Sequence, residues 1–157
     1  MVGVSGDLPQ GEALANDLAR RFPKDTLATA VYLPFLHAGF ELQRGDSKQA
    51  IEALQAAIPY ERAYWQVLFL RGQAYLKAGQ GSEAAARFQR VTDCKGGLLV
   101  NHRWQALAHL YLGRAWAVTG DKEKSRRAYQ DFLALRKNAD ADIPNFQQAK
   151  AEYAQVQ

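Results

Sequence analysis

Residues 69–89, FLRGQAYLKAGQGSEAAARFQ, place small and apolar residues at helical spacing on both sides of a central glycine, Gly79. Ala74 and Tyr75 precede this glycine, and Ala84 and Phe88 follow it. Glycine can adopt the left-handed geometry at the end of a helix without steric cost, so the next helix can begin directly after it. The stretch therefore predicts a helix, a tight turn and a second helix.

The same arrangement recurs along the chain with a period of about 34 residues. Gly45 and Asp46 lie roughly 34 residues before Gly79, and Gly120 follows it after a somewhat longer interval. The surplus residues of the longer interval fall between Asp93 and His102, where two adjacent glycines predict a loop. Units of this size bury their apolar faces by stacking on their neighbours. The sequence thus predicts an array of helix pairs.

Eight helices follow from the apolar periodicity and the turn residues. They are Leu8 to Arg21, Leu27 to Gln43, Ser47 to Ala57, Tyr60 to Ala78, Ser82 to Thr92, Arg103 to Val118, Lys122 to Lys137, and Asp142 to Gln157. Pro34 predicts a kink or a late start in the second of these, because proline cannot donate a backbone hydrogen bond. We expect one domain, divided into a half repeat (8–26), three repeats (27–59, 60–102 and 103–138) and a capping helix (142–157).

The residues at fixed places in the second and third repeats resemble the tetratricopeptide repeat (TPR) signature. The matching residues are Gly72, Tyr75, Ala84 and Phe88 in the second repeat and Leu112, Gly113, Trp116, Tyr129 and Phe132 in the third. Ser125 stands where the signature has alanine. The resemblance implies an all-α, TPR-like right-handed superhelix of antiparallel helix pairs, closed by a C-terminal capping helix.

Three further strings, together with residues 69–89, resemble one more specific family. They are LANDLARRFPKDTL (14–27), FELQRGDSKQAIEALQAAIPYE (40–61) and DADIPNFQQAKAEYAQVQ (140–157). They are similar to the C-terminal TPR region of bacterial eukaryotic-like serine/threonine protein kinases. The kinase glycine-rich loop and the HRD and DFG motifs do not occur in the sequence. The resemblance thus implies a non-catalytic part of a larger signalling protein. The first predicted helix of the chain resembles the second helix of a repeat whose first helix is missing. Its apolar face would then be partly uncovered, and a homodimer would cover it.

The resemblance also predicts a protein-binding groove on the first helix of each repeat. The residues expected there are Tyr32, Phe35, Leu42 and Gln43, then Gln66, Phe69, Gln73 and Lys77, then Leu107, Leu110, Arg114 and Val118. Apolar anchors with a few long polar neighbours suit a peptide or an amphipathic helix, and Lys77 or Arg114 would select acidic partners. The alternative is that Phe35, Phe69 and Leu110 only pack the helices together.

Residues able to support catalysis or bind metal are few. Cys94 is the single cysteine, and the three histidines are His37, His102 and His109. His102 and His109 would lie about 10 Å apart on one helix, too far to share a zinc ion. We therefore predict no catalytic residues, no metal and no cofactor.

The charge pattern bears on the class of partner. The formal net charge is +4, with basic residues interleaved with acidic ones and no aromatic platform among them for stacking bases. No apolar run approaches the roughly 20 residues of a membrane helix. We expect a protein or peptide partner, no nucleic acid and no membrane insertion. The chain should be soluble as given, in the cytoplasm or as the extracytoplasmic part of a membrane-anchored parent. The alternative function is a cis-regulatory or oligomerisation appendage of a bacterial kinase or winged-helix regulator.

Overall fold

The computed structural model describes residues 7–93, 102–136 and 144–156, and every regular element in these ranges is helical. The α-helices are α1 (Leu8–Arg21), α2 (Leu33–Arg44), α3 (Ser47–Ala53), α4 (Trp65–Lys77), α5 (Gly81–Thr92), α6 (His102–Thr119), α7 (Lys122–Leu135) and α8 (Pro144–Ala154). A π-helical turn (Ala28–Tyr32) precedes α2, and a 3-10 helix (Leu54–Tyr60) follows α3. The predicted all-α class with TPR-like helix pairs is confirmed. Cys94, the glycine loop before α6 and the predicted helix end at Lys137 and start at Asp142 lie outside the described residues.

Glycine turns join the helices at the places that the sequence predicts. The residues with positive φ in the described ranges are Gly45 (87°), Gly79 (73°) and Gly120 (82°). After the first turn, the N–H of Asp46 donates to the carbonyl of Glu41 at 2.9 Å, and its carboxylate accepts from the N–H of Gln49 at 2.9 Å. One residue thus ends α2 and caps α3. Asp121 does the same between α6 and α7, accepting from the N–H of Lys124 at 3.0 Å.

The π-helical turn before α2 accommodates Pro34. This proline follows the π-helical turn within a helical segment that is continuous from Thr26 to Arg44. Just before it, the N–H of Leu33 donates to the carbonyl of Ala28, one residue further back than in an α-helix. The widened turn relieves the crowding that a proline ring causes in a continuous helix. The helical segment thus begins close to the predicted Leu27, and Pro34 coincides with a π-helical turn and not with a late start.

The chain divides into two compact units, with the boundary inside α4 between Ala74 and Tyr75. The N-terminal unit has one apolar core, formed by Val31, Ala38, Leu42, Ala50, Leu54, Ala57, Val67, Leu70 and Ala74. Helix α1 packs on α2 through Gly11, because a side chain at Gly11 would lie 2.9 Å from the Phe40 ring. Beside this core, Arg71 Nη1 donates to Glu61 Oε1 at 2.6 Å, and both side chains are buried.

The C-terminal unit is a layer of neighbouring helices in which α6 packs between α5 and α7. The rings of Phe88 on α5 and Tyr111 on α6 stack with centroids 5.3 Å apart. Ser125 on α7 is fully buried, and its hydroxyl donates to the carbonyl of Gly113 on α6 at 2.8 Å. This hydrogen bond explains how a serine replaces the alanine of the TPR signature, because the buried hydroxyl is satisfied. Helix α8 packs against α7.

Candidate functional site

Two aromatic residues predicted to bind a partner lie at the start of α2 in the N-terminal unit. Tyr32 is 45% exposed, and its ring meets that of Tyr64 edge to face with centroids 6.1 Å apart. A hydrogen bond between the two side chains raises the pKa of the Tyr64 hydroxyl. Phe35 is half-buried and packs on the core of this unit. Tyr32 therefore presents part of its ring to solvent while its hydroxyl is bonded to Tyr64, and exposed tyrosine rings are common at protein interfaces.

The other predicted residues of this unit differ in exposure. Leu42 is 7% exposed and Phe69 is 3% exposed, so both lie in the packed interior. Their burial matches the alternative in which such residues pack the helices together. Gln43 and Gln66 are exposed and Gln73 is half-buried. In this unit the accessible members of the predicted set are aromatic and amide side chains.

In the C-terminal unit, helix α8 contacts the predicted binding residues of α6. Leu110 is fully buried in a cluster with Phe146 and Ala149 of α8, and Leu107 packs against the same cluster. Val118, at the end of α6, is 51% exposed, and Lys77 is also exposed. We call Ala106, Leu110, Arg114, Tyr129 and Phe132 the α8-binding face. Part of the predicted groove thus contacts a helix of the chain itself.

A charged network holds α8 on this face. Arg114 Nε and Nη2 donate to the two carboxylate oxygens of Glu152 at 2.9 and 3.0 Å, a bidentate geometry. The Tyr129 hydroxyl donates to Glu152 Oε2 at 3.0 Å. Burial, and next the nearby Glu152 carboxylate, raise the pKa of Tyr129, so this hydroxyl remains a donor at physiological pH. The Arg114 guanidinium also lies 5.1 Å from the centre of the Tyr111 ring.

Sequence reasoning did not identify Glu152 as a functional residue. Arg114 and Glu152 are 38 residues apart, so no local pattern pairs them. One signal was present, because Glu152 follows Ala149 by one helical turn and precedes Tyr153 directly. The carboxylate therefore borders the apolar stripe of α8.

The titratable groups do not converge on a reactive centre in the described ranges. Burial lowers the pKa of His109, although the negative charges of Asp131 and Asp93 oppose this effect. Its Nδ1 lies 3.7 Å from Asp131 Oδ2, beyond hydrogen-bonding distance. His37 is exposed beside Phe40. Within the described residues, no group of three or more His, Cys, Asp or Glu side chains could hold a metal ion, and no helix is long and apolar enough to cross a membrane.

Comparisons with known proteins give one informative similarity. The chain is 31% identical over 109 residues to the tetratricopeptide repeat and J domain-containing co-chaperone DNJ1 of Fusarium oxysporum f. sp. lycopersici. The alignment covers 69% of this chain and 19% of that protein, so the chain spans about a fifth of the relative's length. No family model matches the sequence, and no solved structure matches it. The resemblance to bacterial kinases stays a prediction. The helix pairs, the glycine turns and this similarity together support a TPR-like domain.

Proposed function

We propose that the chain is a non-catalytic protein-interaction module that binds a peptide or helix of another protein on the first helices of its repeats. The TPR-like architecture supports this function, because stacked helix pairs create extended binding surfaces. The similarity to a protein named as a TPR-containing co-chaperone is in keeping with it.

The observation that carries the proposal is the contact of Leu110 and Arg114 with α8. Both residues were predicted to bind a partner. Arg114 bonds to Glu152 of α8, and Leu110 is buried in the cluster that includes α8, as the packing alternative also predicts for Leu110. Leu110 supplies buried apolar contact, and Arg114 supplies a bidentate charged hydrogen bond. This is the chemistry by which a helix is bound in a groove.

In the N-terminal unit we assign the leading contact to Tyr32, with Phe35 beside it on α2. Tyrosine is enriched among the residues that dominate binding energy, since its ring is large, rigid and carries a hydroxyl. Gln66 on α4 supplies an exposed amide for hydrogen bonds, and Gln43 on α2 is also exposed. These residues can accept a partner without unpacking the core.

The test is affinity capture from the source cell with the wild-type chain, Tyr32→Ala and Leu135→Ala. Leu135 is a matched control, because it is 49% exposed but lies on α7, outside the predicted set. We expect proteins captured by the wild type and by Leu135→Ala to be lost with Tyr32→Ala. Calorimetry with a purified captured protein should then show a loss of at least about tenfold in affinity. Equal capture by all three folded variants would refute the assignment of Tyr32.

A second candidate function is self-association through α1. Leu14, which is 66% exposed, and Leu18, which is half-buried, form an apolar row along α1, and Phe22, which directly follows α1, is 45% exposed. Such a row can pair with its own copy and would serve the alternative role as an oligomerisation appendage of a kinase or winged-helix regulator. Sedimentation equilibrium should show a dimer that Leu14→Glu abolishes, and a monomeric wild type would exclude this candidate.

A further inference from the structure

Helix α8 packs on the α8-binding face through a few side chains, as a bound helical peptide would. Phe146 is 9% exposed and Ala149 is fully buried, and the Phe146 ring lies 6.4 Å from that of Phe132. Tyr153 and Val156 pack against the same cluster but remain partly exposed. The apolar part of the contact therefore depends mainly on two buried side chains.

Glu152 adds specificity to this small apolar contact. Its carboxylate accepts from Arg114 and Tyr129, which come from two different helices. A bidentate guanidinium recognises a carboxylate by shape as well as by charge. The α8-binding face is thus built to select a helix that carries an acidic residue at one defined position.

The short length and small buried surface of α8 indicate that it can dissociate from this face while α6 and α7 stay folded. Helix α8 has 11 residues, fewer than the roughly 12–15 that an isolated helix needs to be even marginally stable. An element with few buried side chains opens at lower free energy than the whole domain. The α8-binding face, in contrast, belongs to α6 and α7, which pack closely on each other, and α6 also packs on α5.

We propose that the α8-binding face recognises a helix of another protein that carries a glutamate at one defined position, and that α8 occupies this face as an intramolecular competitor. The partner helix would carry an aromatic residue, a small residue three positions later, a glutamate three further on, an aromatic residue next and an aliphatic residue three after that. This is the pattern that α8 itself presents in Phe146, Ala149, Glu152, Tyr153 and Val156. The inference rests on the proposed function and names the partner class for one of its surfaces.

The test uses a fluorescent peptide with the sequence of residues 142–157, titrated against the full chain by anisotropy. In the chain carrying Glu152→Arg, α8 is repelled by Arg114 while the face is unchanged. We expect this chain to bind the peptide at least about tenfold more tightly than the wild type does. Gln148→Arg is the control, because it introduces the same side chain at an exposed position of α8. It should bind the peptide as the wild type does.

A charge exchange tests the specificity. A peptide with arginine at the Glu152 position should lose binding to the Glu152→Arg chain and should bind a chain with Arg114→Glu. Equal binding of the original peptide to the wild type, Glu152→Arg and Gln148→Arg would overturn the proposal. Dimerisation of the Glu152→Arg chain without peptide binding would also overturn it, since α8 would then exchange only between copies.

Hydrogen exchange provides a measurement that does not depend on the reversed charge. In the wild type, α8 amides should exchange at least about tenfold faster than those of α6 and α7, and Glu152→Gln should widen the difference. Equal rates in the three helices would overturn the proposal. This outcome differs from a failure of the proposed function, because capture through Tyr32 tests the N-terminal unit and requires no release of α8.

Discussion

Removing the buried carboxylate of Glu61 should destabilise the N-terminal unit strongly. The Glu61 and Arg71 side chains are 3% and 7% exposed, and their charged groups are 2.6 Å apart. They join the end of the 3-10 helix after α3 to α4. In Glu61→Leu, the buried guanidinium of Arg71 would lose the carboxylate that lies 2.6 Å from it.

The magnitude follows from the burial of both groups. Removing one partner of a buried ion pair costs about 3–5 kcal/mol, because the other charge is left uncompensated. Replacing both partners with apolar residues of similar size is often neutral, because no charge then needs to be desolvated. We therefore expect Glu61→Leu to lose about 3–5 kcal/mol of unfolding free energy, and Glu61→Leu combined with Arg71→Met to recover most of that loss.

Urea unfolding followed by far-ultraviolet circular dichroism can measure both variants and Arg71→Met. The exposed pair of Arg20 and Asp17 gives the control, and Asp17→Ala should leave the midpoint unchanged. A loss below about 1 kcal/mol for Glu61→Leu would refute the reasoning from burial. A double variant no more stable than the single one would refute the argument about desolvation.

Three further predictions concern the C-terminal unit. Gly81→Ala should lower the melting temperature measured by calorimetry, because the new methyl group would lie 2.8 Å from a carbonyl oxygen of α6. This clash should outweigh the higher helix propensity of alanine. Burial lowers the pKa of His109, although the charge of Asp131 opposes this effect. The unfolded state therefore binds more protons, and the free energy of unfolding should fall as the pH drops from about 7.5 to about 5.5. His109→Asn should weaken this pH dependence in urea titrations. Tyr129→Phe should cost about 1 kcal/mol and accelerate amide exchange in α8, since Glu152 loses one donor.

Local signals in the sequence predicted much of the helical fold. Gly45, Gly79 and Gly120 adopt the left-handed geometry after α2, α4 and α6, and α1 spans the residues predicted for it. Pro34 predicted a kink or a late start, and the structure has a π-helical turn before it instead, because the crowding of a proline ring can be relieved in more than one way.

The candidate site was less predictable, because apolar periodicity reports burial without saying what covers a residue. Phe69 and Leu110 fit a binding groove and a helix interface equally well in sequence, and both are buried within the chain. The bond between Arg114 and Glu152 joins residues 38 apart, which only the packing of α8 brings together. Such contacts depend on tertiary packing, which the spacing of residues along one sequence does not reveal.

The glycine turns also determine which substitutions the joints between helices can accept. Among the described residues, no atom beyond the neighbouring residues lies within 4 Å of where a side chain at Gly45, Gly79 or Gly120 would project. Glycine is needed there for its backbone torsion and not for space. Asparagine tolerates that torsion better than most residues, at a cost of about 1 kcal/mol. At these joints asparagine should therefore be the best-tolerated replacement, whereas other side chains would strain the turn even though they meet no packed helix.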